Sequence, residues 1–367
     1  MKIAQVSPLY EAVPPKLYGG TERVVAWLTD ALVDAGHEVT LFASADAVTR
    51  AELVPVRDQA IRLDPAPLKS DLAAHLNQLH EVRRRRHDFD VIHFHVDLLH
   101  FPLFEDCPDR TLTTLHGRQD LKDLAGVYRR WHQFPMVSIS HRQREPLRGA
   151  NWLGTVHHGL PADLFGFNPQ PAGGYLAFLG RISPEKRVDR AIAIARRTGL
   201  PLKIAAKVDA VDRAYFHKEI EPLLRTADVE FVGEIGDDAK GDFLGNALAL
   251  LFPIDWPEPF GLVMIEAMAC GTPVVAWNCG SVPEVLEDGV SGRIVDSEDA
   301  AVAAVSEVLA LDRAGVRSAF ERRFTAATMA RNYLDLYGRL VAGGPLHEQP
   351  AHALPAQVAA QGLRLQA

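Results

Sequence analysis

The 367-residue chain contains only three cysteines, Cys107, Cys270 and Cys279, and no CxxC pair. An odd, scattered set of thiols supports neither a disulfide framework nor a structural zinc site, and it fits a reducing compartment. Long apolar runs are missing as well. The best candidate, 261–277, is broken by Glu266, Gly271 and Pro273 and is too interrupted to span a bilayer. Lys2-Ile3-Ala4-Gln5-Val6 enters a strand-like pattern at once, leaving no room for the charged leader and apolar stretch of a secretion signal, so the expected location is the cytoplasm. There is no excess of positive charge. The 39 Lys and Arg against 47 Asp and Glu give a net charge of −8, which excludes a general electrostatic grip on nucleic acid and argues against membrane contact. The GxGxxG and GxxxxGK[ST] phosphate loops are absent too, which weakens a dinucleotide-cofactor reading and removes a P-loop.

What is present is a globular composition, 47% hydrophobic and 23% charged, in a chain longer than one core usually supports. Two domains are the default. Short β-rich runs alternate with helical patterns: strand 3–6, helix 21–34 closed by Gly36, strand 38–43, a helix from Ser70, then strands 91–95, 111–115, 136–139 and 153–156. The stretch 161–174 holds three prolines and no clear periodicity, as an interdomain linker does. Beyond it the plan repeats: strand 175–179, a helix after Pro184, strand 202–205, helix 212–225, strands 229–232 and 249–252, helix 261–270, strand 274–277, and helices near 282–287 and 299–311. The expectation is an α/β protein of two Rossmann-like, doubly wound parallel-sheet domains. They would cover 1–160 and 161–326, with a helix at 327–344 and a tail at 345–367 that has little patterning.

The richest stretch is Glu258-Pro-Phe-Gly-Leu-Val-Met-Ile-Glu266. Pro257 and Pro259 keep the chain out of helix until Phe260, so Glu258 falls on a loop at a helix N-terminus, with Glu266 about two turns further on. A carboxylate accepts two hydrogen bonds from a vicinal diol while neighbouring backbone N–H groups take phosphate, so one glutamate suits a sugar and the other a ribose. The plainer alternative is two surface glutamates favoured by the helix dipole. Gly180-Arg181-Ile-Ser-Pro-Glu185-Lys186 lies between the second domain's first strand and its helix, where α/β sheets bind ligands. Its two cations suit a diphosphate, or are ordinary solvated charges. Tyr18-Gly19-Gly20-Thr21-Glu22 joins the first strand to its helix, either as a close approach to phosphate or as a turn with Thr21 as N-cap. His116 should emerge at the carboxyl end of a first-domain strand, facing a ligand or capping the surface.

Other features carry less. His93 and His95 share a strand face, as a metal pair would, but no cluster completes a site. His157 and His158 close the last first-domain strand, in a packing or hinge position. Asp88-Phe89-Asp90 has a divalent-ion spacing at the amino end of a strand, the wrong edge, and Arg83 to Arg86 end a helix. No metal is called for.

In combination, Gly180-Arg181…Glu185-Lys186, Glu258-Pro-Phe-Gly-Leu, Glu266-Ala-Met-Ala-Cys-Gly-Thr-Pro-Val-Val-Ala and Gly280-Ser-Val-Pro-Glu284 resemble the family 4 retaining glycosyltransferases of the GT-B fold, over about residues 1 to 340. The resemblance implies a metal-independent, retaining hexosyltransferase with no cofactor. Its donor would be a nucleotide sugar and its acceptor a small molecule or glycan of unknown identity. By the resemblance Arg181 and Lys186 bind the diphosphate, Glu258 with the backbone of Phe260, Gly261 and Leu262 the donor sugar, and Glu266 the ribose. Gly19 and Gly20 face the phosphates, and His116 contacts the transferred sugar. Tyr18-Gly-Gly-Thr-Glu-Arg-Val-Val is similar to bacterial enzymes glucosylating pteridines and to an antibiotic glycosyltransferase, which favours UDP and glucose or a related hexose. This chain departs from many relatives in having His158-Gly159 for Asn-Gly, and Arg187 for a glycine. The helix at 327–341 would cross back onto the first domain. Rival readings are a nucleotide-sugar epimerase or phosphorylase on the same fold, and a non-catalytic sugar-nucleotide-binding protein.

Overall fold

The computed structural model describes residues 1–16, 19–225 and 228–343; Tyr18 and the expected tail at 345–367 lie outside them. Two wholly parallel sheets form. The first holds β1 (Lys2–Val6), β2 (Glu38–Ser44), β3 (Glu52–Arg57), β4 (Val91–Phe94), β5 (Thr111–Thr114), β6 (Met136–Ser138) and β7 (Trp152–Thr155), in the order β3-β2-β1-β4-β5-β6-β7. The second holds β8 (Leu176–Arg181), β9 (Leu202–Lys207), β10 (Val229–Gly233), β11 (Ala249–Phe252), β12 (Val274–Trp277) and β13 (Gly292–Val295), in the order β10-β9-β8-β11-β12-β13. In each, the strand order reverses beside the first strand, between β1 and β4 and between β8 and β11. Loops diverge there and leave a crevice at the carboxyl ends. Register keeps those ends level, with Val6 opposite both Phe42 and Phe94.

Central strands are buried on both faces, as parallel sheets require: every residue of β4, β5, β11 and β12 is buried. Helices begin and end on local chemistry. Ser70 accepts from the Ala73 N–H to start Asp71–Arg84. The helix Ala326–Val341 starts with Thr325 accepting from Thr328, then packs against the first-domain helix Gly20–Asp34. The linker start pairs with this crossover, since the Leu160 N–H donates to Phe324 and Ala326 donates back to Leu160. No helix among the described residues is long and apolar enough to cross a membrane.

Several expectations are corrected. The strands β3 and β13 and the helices Leu124–Arg130, Asp237–Gly245 and Arg313–Arg323 went unforeseen. The helix expected at 212–225 forms, with a π segment at Phe216–Ile220 where Pro222 brings no N–H to the ladder. Thr21 is no N-cap. The first helix starts at Gly20, behind an extended Gly19 and without a side-chain cap.

Candidate functional site

Loops from both sheets enclose a cleft of about 880 Å³, and every residue singled out as a site candidate lines it: Gly19, Gly20, His116, Arg181, Lys186, Glu258, Phe260, Gly261, Leu262 and Glu266.

Glu258 sits on the loop after β11. Its carboxylate forms an ion pair with Lys186 and accepts from the Trp256 indole at 2.9 Å, while the Lys186 ammonium lies 5.1 Å over the Trp256 ring. The loop is held from beneath by the Gly280-Ser281 turn: Ser281 N–H donates to the Glu258 carbonyl and its hydroxyl to the Phe260 carbonyl at 2.7 Å. Gly280 has φ 56, and a Cβ there would collide with the Glu258 backbone. Gly261, with φ 80, caps the next helix; its added Cβ would meet Met264 at 2.8 Å. The helix accordingly runs Leu262–Ala269, within one residue of the expected 261–270 at each end, leaving the Phe260 to Leu262 backbone at its mouth.

Neither glutamate is a surface group. The Glu266 side chain is 5% exposed and binds Lys240 at 2.9 Å. Lys240 also lies 3.3 Å from Asp237, which pairs with the buried Arg23 of the first domain. This chain of four charges ties Glu266 to the helix Gly20–Asp34. Arg181 is likewise engaged, by Glu185 at 2.6 Å and Asp209 at 3.6 Å. Arg187, standing where a glycine is frequent, takes a left-handed backbone (φ 54) that costs a non-glycine residue about 1 kcal/mol. Ion pairs to Asp189 at 2.7 Å and Asp255 at 2.9 Å hold it there.

His116 is no surface cap. It ends a hydrogen-bonded chain rooted in the crossover helix. His95 Nε2 donates to Gln5 Oε1 at 2.8 Å, and the Gln5 amide donates to Tyr337 at 3.1 Å. With that nitrogen protonated, His95 Nδ1 accepts the His116 Nε2–H at 2.8 Å. The proton order leaves His116 Nδ1 as a bare lone pair, buried and without a partner among the described residues. The ring stacks on His158, centroids 5.2 Å apart, and burial pushes its pKa down to about 3, so it is neutral at pH 7. His93, 4.1 Å from the His95 ring, is bonded through both nitrogens, to Tyr337 and Thr114 at 2.7 Å. Neither His93 nor His95 thus has a nitrogen free for a metal, and no group of three metal-ligating side chains occurs among the described residues.

Glu284, quoted above within a motif but given no role, spans the two domains. Its carboxylate accepts the backbone N–H groups of His141 and Arg142 at 2.7 and 2.8 Å and faces His157 Nε2 at 3.3 Å. Burial alone would raise its carboxyl, but these three donors outweigh it and hold the pKa below the usual value. Sequence reasoning missed Lys240, Trp256 and Asp97. Only Asp97 had a signal available, its place directly after a central strand.

Two facing doubly wound domains with a ligand-sized cleft between their carboxyl edges make the GT-B fold. Residues 18–199 match the family described as Glycosyltransferase Family 4, and residues 166–324 that described as Glycosyl transferases group 1. A phosphatidyl-myo-inositol mannosyltransferase of Mycolicibacterium smegmatis is 28% identical over 82% of this chain and 82% of its own. Among solved structures, AviGT4, a glycosyltransferase of avilamycin A biosynthesis, superimposes with a TM-score of 0.69 at 25% identity, covering 94% of this chain and 98% of its own. A sucrose-phosphate synthase of Thermosynechococcus elongatus does so with a TM-score of 0.74 at 20% identity, covering 94% of this chain and 100% of its own. The chain belongs to the family 4, group 1 glycosyltransferases.

Proposed function

We propose that the protein transfers a hexose, glucose or a close relative, from a UDP-linked donor to an acceptor hydroxyl, with retention of configuration and without a metal ion. The observation that carries this reading is convergence: Arg181, Lys186, Glu258 and Glu266 from the second sheet and His116 from the first meet across one cleft. Arg181 and Lys186 are assigned to the diphosphate, aided by the N–H groups where Leu262–Ala269 begins and by the approach of Gly19 and Gly20. Glu258, with the backbone of Phe260, Gly261 and Leu262, holds the donor sugar, and Glu266 binds the ribose. His116 Nδ1 accepts from a sugar hydroxyl; neutral and unprotonated there, it serves recognition rather than proton donation. The acceptor attacks the face from which the diphosphate leaves, a donor phosphate oxygen taking its proton, so no protein nucleophile is needed. A cytoplasmic location goes with the three free thiols.

The test is thermal stability with UDP, GDP, ADP and their glucose conjugates, because a ligand bound to the native state raises the melting temperature. UDP species alone should stabilise the protein, and Arg181→Ala with Lys186→Ala should abolish the shift and turnover. Preference for another base refutes the UDP assignment, an inverted product anomer refutes retention, and activity lost to EDTA and restored by a divalent ion refutes the metal-free route.

A further inference from the structure

On the first-domain side of the cleft, two residues beyond the His95 that bonds His116, stands Asp97, just past the carboxyl end of β4. Among the described residues its carboxylate makes no hydrogen bond or ion pair. Its backbone is left-handed, φ 51, one of only two such non-glycine residues described. Strain of this kind persists where the surroundings enforce it and clusters at ligand sites. Apolar side chains line the same first-domain side of the cleft, Tyr10 and Tyr128 within reach of its charge. Tyr10, Leu99 and Leu121, at 37%, 37% and 55% exposure, are large side chains left open to solvent, and Leu98, Leu124 and Tyr128 line the same wall.

The charges bordering this half-cleft are unbalanced. Arg62 is paired with Glu11 at 3.0 Å and Arg118 with Asp120 at 2.6 Å, so neither cation is left over for Asp97. Glu22, on the same wall, accepts the Glu11 backbone N–H at 3.3 Å and shares Arg62 with Glu11, two carboxylates to one cation, and burial raises its carboxyl. Asp97 is an exposed residue of the cleft wall, and desolvation by that wall pushes its carboxyl up to about 6. A phosphorylated acceptor would meet net negative charge here.

We propose that Asp97 and this apolar wall form the acceptor subsite, and that the acceptor is a small molecule carrying a protonated amine beside an apolar or ring-shaped body. The ammonium pairs with Asp97, the body packs on Tyr10, Leu99 and Leu121, and the hydroxyl to be glycosylated faces the donor. Anionic acceptors, such as the phosphatidylinositol for which the M. smegmatis relative is named, are turned away. This inference rests on the glycosyltransferase reading.

The experiment incubates the full chain and a UDP-hexose with three acceptor sets, amino sugars and aminocyclitols, their N-acetylated forms, and their phosphate esters, with products read by mass spectrometry. Asp97→Asn is run in parallel; asparagine is isosteric and tolerates a left-handed backbone, so the loop is kept. Products should come from the amine set, and Asp97→Asn should lower kcat/KM with them about tenfold or more while the UDP-induced thermal shift stays. Products from the acetylated or phosphorylated sets at equal rates, an Asp97→Asn enzyme as efficient as wild type, or no product from any amine while UDP still stabilises the protein would each overturn the proposal. Absence of any UDP shift would instead remove the transferase reading beneath it.

Discussion

Glu284 fastens one domain to the other through three donors, and its removal has a calculable effect. Its side chain is 16% exposed, and two of the three donors are backbone N–H groups of the exposed residues His141 and Arg142. A hydrogen bond to a charged acceptor contributes about 1.5–3 kcal/mol. Glu284→Gln keeps one acceptor oxygen and turns an amide NH2 toward the other N–H, so it should cost about 2 kcal/mol; Glu284→Ala, which leaves both exposed N–H groups to water, about 3 kcal/mol. Because these bonds join domains, the loss should appear in urea unfolding as separation of one transition into two, along with a raised KM for the donor. The pH dependence fixes the cause. A carboxyl held below its unfolded value contributes fully above that value and loses its contribution as pH falls through the folded one. The difference between wild type and Glu284→Gln should therefore be constant from pH 8 to about 5 and shrink below about pH 4. A Glu284→Gln protein within about 0.5 kcal/mol of wild type at pH 7, or a deficit unchanged at pH 3.5, refutes the reasoning.

Burial lowers the pKa of His93, His95, His116 and His158, so these rings stay neutral in the fold while unfolded histidine protonates near pH 6.5. Stability should fall as pH drops below about 6.5, and replacing His95 by glutamine should flatten that slope; an identical slope in the variant counts against the assignment. Tyr337→Phe removes the hydroxyl that joins Gln5 to His93 and strands two buried polar groups, at about 2–4 kcal/mol. It also frees Gln5 to turn over, so nitrogen NMR should show the His116 Nδ1-protonated tautomer gaining population, with a rise in donor KM; an unaltered tautomer would disconnect the crossover helix from the site.

The sheets were legible where strands are central and buried. β11 and β12 fall where the apolar runs place them, because burial on both faces leaves a continuous hydrophobic signature. β3 escaped because an edge strand of half-exposed residues containing Pro55 carries none. Asp237–Gly245 escaped because Gly241 and Gly245 and a polar run suppress helical periodicity, and with it went Lys240, the partner of Glu266. The candidate residues themselves were readable from type and spacing. Their partners were not. Lys186 and Glu258 are 72 residues apart, Arg23 and Asp237 are 214 apart, and His116 is oriented from Tyr337 through Gln5 and His95, and no local pattern encodes such pairs.

These distant pairings bear on how the cleft would bind a donor. The cations assigned to the diphosphate, and Lys240 beside the ribose glutamate, already sit against carboxylates: Lys186 on Glu258, Arg181 on Glu185 and Asp209, Lys240 on Glu266. A desolvated Lys186–Glu258 pair, each side chain about 15% exposed or less, cannot surrender one member without leaving the other uncompensated. Under the proposed function the two halves of the donor solve this together. The diphosphate draws Lys186 as the sugar hydroxyls take up the released oxygens of Glu258. Phosphate binding and sugar binding are then coupled through one ion pair: free diphosphate has to break the pair unaided, whereas the intact nucleotide sugar replaces both partners at once.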